Sequence, residues 1–305
     1  MKNSQWQQAL LDRNQLDTDY LDTIQHWFSP LARDLAAYQT AADRPVLIAV
    51  NGTQGSGKTT LCDYLCSSLR EEYGRQCVAL SLDDFYLTQA ERKALAFAVH
   101  PLFITRGVPG THDMGLLQST LEQLLQGRGT RDINIPRFDK GADERRPAQD
   151  WDRVTQPVHI VLLEGWCLGA TAESERSLSH PVNALERDED PRAIWRTQVN
   201  NTLNEFFPAL YDRVDQWIML RAPSFDCVFD WRREQEQKLA NQPSRNRPAH
   251  LMDDADLQRF IQHYERLTRR CLAELPDRVH YLLQLNKARH IVSCKNPRGA
   301  AHFDS

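Results

Sequence analysis

Apolar positions in this chain fall into two patterns that alternate from end to end. Residues 46–50, 77–82, 158–163, 217–220 and 279–285 are short, continuously apolar runs, of the kind a strand shows when helices cover both faces of its sheet. Between them the apolar residues recur at helical spacing. Residues 61–73 end near Gly74, and residues 114–126 align Leu116, Leu117, Leu121, Leu124 and Leu125 on one face. Residues 195–210 form a third helix, and a fourth opens at Ser224. A fifth starts at Asp253 and Asp254, with Leu257, Phe260, Ile261, Tyr264, Leu267 and Cys271 turned inward. This alternation predicts an α/β fold, a mostly parallel sheet with helices on both faces.

Residues 1–44 read as a helical extension packed outside the sheet. Leu10, Leu11, Leu21, Ile24, Trp27, Phe28, Leu31 and Leu35 lie at roughly helical spacing, and Pro30 marks a break or a new start. One large domain over 45–290 and a short tail over 291–305 complete the division. Residues 171–192 are rich in Glu, Arg and Asp and contain Pro181 and Pro191, which predicts a surface insertion. Residues 241–250 read as a polar linker, and no internal repeat is present.

Composition narrows the function. The 305 residues carry a net charge of −4 with both signs interspersed, so no broad basic face exists for a polynucleotide. The first residues lack the apolar core of a signal peptide, and no run approaches the ~18 apolar residues of a membrane span. A soluble cytoplasmic protein without membrane or nucleic-acid partners is expected. The 7 cysteines are scattered, which suits reduced thiols. Cys62 and Cys66, four apart, read as packing residues rather than metal ligands.

The chemistry begins where the first strand ends. Gly52, Thr53, Gln54, Gly55, Ser56, Gly57, Lys58, Thr59 and Thr60 fit Gly-x-x-x-x-Gly-Lys-Ser/Thr, a strand-turn-helix cradle whose bare N–H groups face phosphate oxygens. Lys58 is predicted to reach the β and γ phosphates of ATP, and the Thr59 hydroxyl to help hold Mg2+. The helix that follows directs its positive end at the same anion.

Acids stand at the ends of two later strands, the edge where open parallel sheets bind ligands. Asp83 and Asp84 follow the second strand. Phosphoryl transfer asks for a carboxylate to orient the acceptor hydroxyl and take its proton late, so Asp83 is the candidate base, with Asp84 assigned to the metal or its water shell. Glu164, after the third strand, is either a second magnesium-side carboxylate or a structural acid. Acceptor candidates follow: Tyr86, then Arg106, His112 and Asp113 in a turn-rich loop, then Arg137, Lys140, Arg145 and Arg146. Asp113 also reads as a helix N-cap, but capping leaves Arg106 and His112 without a role. Arg232 and Arg233 belong either to a lid over the phosphates, at about 224–241, or to a solvated helix face.

Several motifs in the same order resemble one family. Residues 52–60, Ser-Leu-Asp-Asp-Phe-Tyr at 81–86, Arg-Gly-Val-Pro-Gly-Thr-His-Asp at 106–113, Pro-Arg-Phe-Asp-Lys at 136–140 and Leu-Glu-Gly-Trp-Cys-Leu-Gly at 163–169 look like the glycerate 3-kinase family of plant and fungal type. That family belongs with the uridine kinase, pantothenate kinase and phosphoribulokinase group of P-loop kinases. The resemblance covers residues 45–285. It implies a P-loop NTPase three-layer sandwich with a helical lid, and ATP-dependent phosphorylation of a small alcohol, D-glycerate at its 3-hydroxyl first among them. It also implies that the acid at Asp83 is the base and that the helix bearing Arg232 and Arg233 is the lid. Phe138 stands where uridine-type relatives have a tyrosine, and residues 171–192 look enlarged. A kinase for uridine, pantothenate or a sugar phosphate, and an ATPase without a small-molecule acceptor, are the alternatives. The acceptor loop offers cations more than stacking rings, which favours a hydroxy acid.

Overall fold

The computed structural model describes residues 5–126, 132–240 and 252–295. Its sheet contains β1 (Val46–Gly52), β2 (Cys77–Ser81), β3 (Ile160–Gly165), β4 (Gln216–Arg221), β5 (Tyr281–Leu285) and β6 (Ile291–Lys295), in the spatial order β6-β5-β4-β1-β3-β2. All pairs are parallel except β5 with β6. The principal helices are α1 (Gln5–Asn14), α2 (Ser29–Ala42), α3 (Lys58–Glu71), α4 (Gln89–Ala98), α5 (Met114–Leu125), α6 (Ile194–Tyr211), α7 (Asp226–Ala240) and α8 (Asp254–Glu274).

Alternate residues of the central strands feed two cores. Val46, Ile48, Val50, Ile160 and Leu162 meet Leu10, Phe28, Leu31 and Leu35 of the N-terminal region and Leu61, Leu65 and Leu69 of α3. Leu47, Ala49, Val161 and Leu163 meet Leu121 of α5, Phe207 of α6 and Leu267 of α8. Every residue of β1 and β3 is therefore buried, which explains their unbroken apolar runs. Each such Leu or Phe stabilises the fold by roughly 1.5–3 kcal/mol relative to exposure. Pro30 opens α2 within its first two positions, where its missing N–H has no helical partner to lose. Arg13 of α1 binds Asp63 at 2.6 Å and Ser67 at 2.7 Å, tying the N-terminal region to the helix that follows the glycine loop.

Several expectations change. The 77–82 run is an edge strand, only half-buried through most of its length, and β3 lies between it and β1. Residues 291–295 of the expected tail form β6 on the opposite edge. Residues 171–192 are not a simple surface insertion: they carry short helices at Glu175–Leu178 and Ala184–Asp188 and bury Leu178, Leu185, Glu186 and Asp190. The linker at 241–250 lies outside the described residues. Among the described residues, no helix is long and apolar enough to cross a membrane.

Candidate active site

β1 delivers the chain to the glycine loop and α3 carries it away. Gly57 caps α3 at φ +91°, and a Cβ there would meet nothing within 4 Å, so the turn faces open space. The Thr53 carbonyl accepts from the Ser56 amide at 3.2 Å and from Lys58 Nζ at 3.1 Å, which curls the loop without filling it. Gln54, Gly55, Gly57, Lys58, Thr59 and Thr60 line a cavity of about 250 Å³, while Gly52, Thr53 and Ser56 lie behind them and shape the turn. Burial lowers the Lys58 pKa, and the charges of Glu164 and Asp83 oppose that shift. Trp231 of α7 packs on Gly55, so α7 touches the loop directly.

Register puts the acids beside this cradle. Glu164 of β3 pairs with Val50 of β1 on one side and Ser81 of β2 on the other. Thr59 Oγ1 donates to Glu164 Oε1 at 2.9 Å, and the buried Glu164 Oε2 has no hydrogen-bond partner. These are hard oxygen donors next to a phosphate cradle, a donor set that fits magnesium, which takes its remaining ligands from water and phosphate. No group of three or more His, Cys, Asp or Glu side chains able to hold a metal occurs among the described residues.

The second acid site is built on a single turn of 3₁₀ helix, Leu82–Phe85, capped by the Ser81 hydroxyl. Asp83 and Asp84 leave this turn in different directions. Asp83 enters the cavity, where Tyr86 OH donates to Oδ1 at 2.7 Å and Lys140 Nζ to Oδ2 at 2.6 Å. Burial alone raises the Asp83 pKa, but the charge and hydrogen bond of Lys140, the Tyr86 hydroxyl and the Lys58 charge together hold it well below the usual carboxylate range. Lys140 is shifted upward, chiefly by Asp83.

Residues 47–179 match the phosphoribulokinase / uridine kinase family. Uridine-cytidine kinase 2-B of Danio rerio is 30% identical over 200 residues, 64% of this chain and 72% of the relative. The chain belongs to the phosphoribulokinase / uridine kinase family. Chloroplastic D-glycerate 3-kinase of Arabidopsis thaliana is 29% identical over 233 residues, which are 72% of this chain and 46% of that protein. The D-glycerate 3-kinase structure from Cryptococcus neoformans superposes with a TM-score of 0.69 at 23% identity, covering 87% of this chain and 99% of the other, a likeness of fold. As a member of this family the chain is an ATP-dependent P-loop kinase, a phosphotransferase, and the sheet with helices on both faces is the fold of its kin.

Within this family member the predicted acceptor residues divide sharply. Arg106, Lys140, Tyr86 and Arg232 line the cavity with Asp83. Asp84 does not: its carboxylate accepts from Arg137 at 2.6 Å and from the Phe138 amide at 3.1 Å, so it anchors the 136–140 segment instead of a metal. Arg137 is held by Asp84 and Asp152. Arg145 binds the Tyr86 carbonyl and Asp113, and Asp113 caps α5 by accepting from Leu116 N; these two brace the loop from behind. Arg146 is exposed away from the cavity. His112 is 5% exposed, stacks on Tyr86 at 4.7 Å between ring centroids, and is lowered by burial to about 4, so it is a neutral packing group. Arg233 lies over Phe229 and near Asp230, outside the cavity wall.

Sequence reasoning missed Ser81, Trp166, Phe260 and Tyr264, all on the cavity wall. Phe260 and Tyr264 share the apolar face of α8, and periodicity does not distinguish a core ring from one at a cavity. The site therefore holds more rings than the acceptor loop suggests. They pack on one another, Trp166 edge-on to Tyr264 at 4.8 Å and Tyr264 against Phe260 at 5.0 Å, while Arg232 lies over Phe260 at 5.8 Å.

Proposed function

We propose that this kinase transfers the γ-phosphoryl group of ATP to the 3-hydroxyl of D-glycerate. The observation that carries the reading is the shared cavity: Asp83 stands in the same 250 Å³ space as the glycine loop, with Arg106, Lys140 and Arg232 around it. In this reading Lys58 and the loop amides hold the phosphates, with the α3 N-terminus behind them. Thr59 and Glu164 would hold magnesium, which supplies charge neutralisation on the β and γ oxygens. Lys140 and Arg106 bind the acceptor carboxylate. Asp83 orients the hydroxyl and receives its proton as the new P–O bond forms and ADP leaves; its low basicity suits a proton transfer that comes late. Arg232, on the helix that packs against the loop, sits where charge on the transferring group is stabilised.

The likeness to D-glycerate 3-kinases in sequence and in fold supports the same acceptor. Three cations around one aspartate suit a small acid better than a neutral nucleoside. Purified protein with ATP and a panel of D-glycerate, uridine and pantothenate tests the reading, with turnover expected for glycerate; turnover of uridine or pantothenate without glycerate overturns it. Asp83→Asn is expected to cut kcat by a factor of about 10² or more while ATP affinity stays within about twofold. Retention of most activity would move the base elsewhere.

A further inference from the structure

Arg92 is a buried charge that the chemistry above does not use. It lies on α4 and is 1% exposed. Its Nε donates to the Leu87 carbonyl at 3.2 Å, Nη1 to the Ile104 carbonyl at 2.9 Å and Nη2 to the Asp143 carbonyl at 2.9 Å. Its counter-ion is the Asp143 carboxylate, whose Oδ2 lies 2.8 Å from Nη2. A guanidinium presents its donors in one plane, so these fixed acceptors leave it a single orientation. The other carboxylate oxygen, Asp143 Oδ1, accepts from Arg106 Nη1. One half-buried aspartate thus joins an arginine locked in the interior to an arginine on the cavity wall.

The turn that carries Asp143 is shaped to this contact. It connects the short paired strands Phe138–Asp139 and Glu144–Arg145, and Asp143 closes it at φ +54°, a left-handed conformation that Asp and Asn adopt more readily than other side chains. Asp139 Oδ1 fixes the start of the turn by accepting from the Gly141 amide at 2.9 Å and the Ala142 amide at 3.0 Å. The Lys140 carbonyl, in the same turn, accepts from Arg106 Nη2 at 3.3 Å. The Arg106 guanidinium also lies over the Phe138 ring at 5.5 Å. Its backbone is tied down as well: Tyr264 OH donates to the Arg106 carbonyl at 2.9 Å, and the Trp166 indole N–H to the Gly107 carbonyl at 3.0 Å. Asp143 and the Lys140 carbonyl take two of the five N–H groups of Arg106, which leaves donors for a ligand in the cavity.

Charge explains why two arginines share one acid. Asp143 paired with Arg106 alone would cancel the charge that an anionic acceptor needs. Shared with Arg92, it leaves the trio one net positive charge, and Arg106 is the member that faces the cavity. We propose that Asp143 is a positioning residue that aims Arg106 at the anionic end of the acceptor, with Arg92 as the buried anchor that keeps the charge of Arg106 uncancelled. This rests on the reading that Arg106 meets the carboxylate of D-glycerate.

Steady-state kinetics of Asp143→Asn, with D-glycerate and its uncharged amide as acceptors, test it. Asn keeps the left-handed backbone and the carbonyl that Arg92 binds, and removes the charge that orients Arg106. The KM for D-glycerate is expected to rise about tenfold, with kcat and the KM for ATP within about twofold, and the preference for glycerate over the amide to fall by the same factor. A merely structural role would lower the active fraction, and with it the apparent kcat, while leaving both KM values in place. Asp143→Gly, which also accepts a positive φ, is expected to do the same and serves if the asparagine variant folds poorly. In an Arg106→Met background, Asp143→Asn is expected to change the glycerate KM no further, because it acts through the missing arginine. Turnover of glycerate by the wild type together with an unchanged KM in both Asp143 variants, or a full additional tenfold rise in the Arg106→Met background, would overturn this inference and leave the glycerate assignment standing. A wild type that phosphorylates uridine or pantothenate and not glycerate would overturn both.

Discussion

Asp83 keeps its charge because donors crowd it, and the dominant donor is removable. Its folded pKa is depressed, so it remains a carboxylate throughout the range in which enzymes are assayed, and the acid limb of the wild-type pH–rate profile does not come from this residue. Lys140→Met takes away the opposing charge and leaves the desolvation that raises the pKa. An acid limb should then enter kcat/KM from the low-pH side, and the acceptor KM should rise roughly 10- to 100-fold, the worth of one charge-assisted hydrogen bond. Steady-state kinetics from pH 5 to 8 check both; an unchanged profile with an unchanged KM would remove Lys140 from the site. At this scale the sequence shows which acid could act, because a strand end places Asp83 at the ligand edge. It does not show which cations are engaged. Arg137 is matched by Asp84 and Asp152, Arg106 by Asp143 and Arg145 by Asp113, and all four acids lie more than ten residues from the arginine they bind. Such pairing is a property of the folded loop and leaves no local pattern.

Strands and helices were easier to read than their neighbours in space. The apolar runs of β1 and β3 and the glycine turn between β1 and α3 are visible locally, because burial on both faces removes polar residues and a phosphate loop needs glycine. That β3 separates β1 from β2 is not, since sequential strands need not be adjacent; it is this order that brings Glu164 next to Thr59 and leaves Asp83 two strands away from β1. Residues 171–192 illustrate the other limit. Their charges read as solvated, but Asp190 is 1% exposed, pairs with Arg196 at 3.0 Å and accepts from the Trp195 and Arg196 amides at the start of α6. Composition records charge and is blind to its partner. Asp190→Ala leaves the Arg196 guanidinium buried without its counter-ion and strips α6 of these acceptors, so a loss of about 3–5 kcal/mol is expected. Urea denaturation measures it as a lower midpoint at similar slope; a shift below ~1 kcal/mol would return this segment to the surface role its composition suggests.

For the molecule as a whole, two buried histidines set the response to acid. His112, behind the acceptor loop, and His263, on α8, are each lowered to about 4 by burial. Asp83 pulls His112 back upward, and around His263 the backbone carbonyls of Phe260 and Arg259 and the charge of Glu189 do the same against Arg259, but burial prevails in both. The folded chain therefore holds both rings neutral, whereas the unfolded chain protonates them near pH 6.5. Protons bind the unfolded state more strongly, so stability is complete above about 6.5, falls as pH drops from 6.5 towards 4, and has no further contribution from these rings below that. Each is worth up to about 3 kcal/mol over this window. Asp83 acts later: with its folded pKa depressed, its stabilising share is present above the ordinary carboxylate value of ~4 and is lost only below it. The melting temperature should therefore decline between pH 6.5 and 4, before the carboxylates titrate. His112→Gln and His263→Gln should each flatten that decline even where they lower the neutral-pH value, because the removed group no longer binds a proton on unfolding. A decline of the same steepness in both variants would assign the acid sensitivity to other groups and place these rings in contact with solvent.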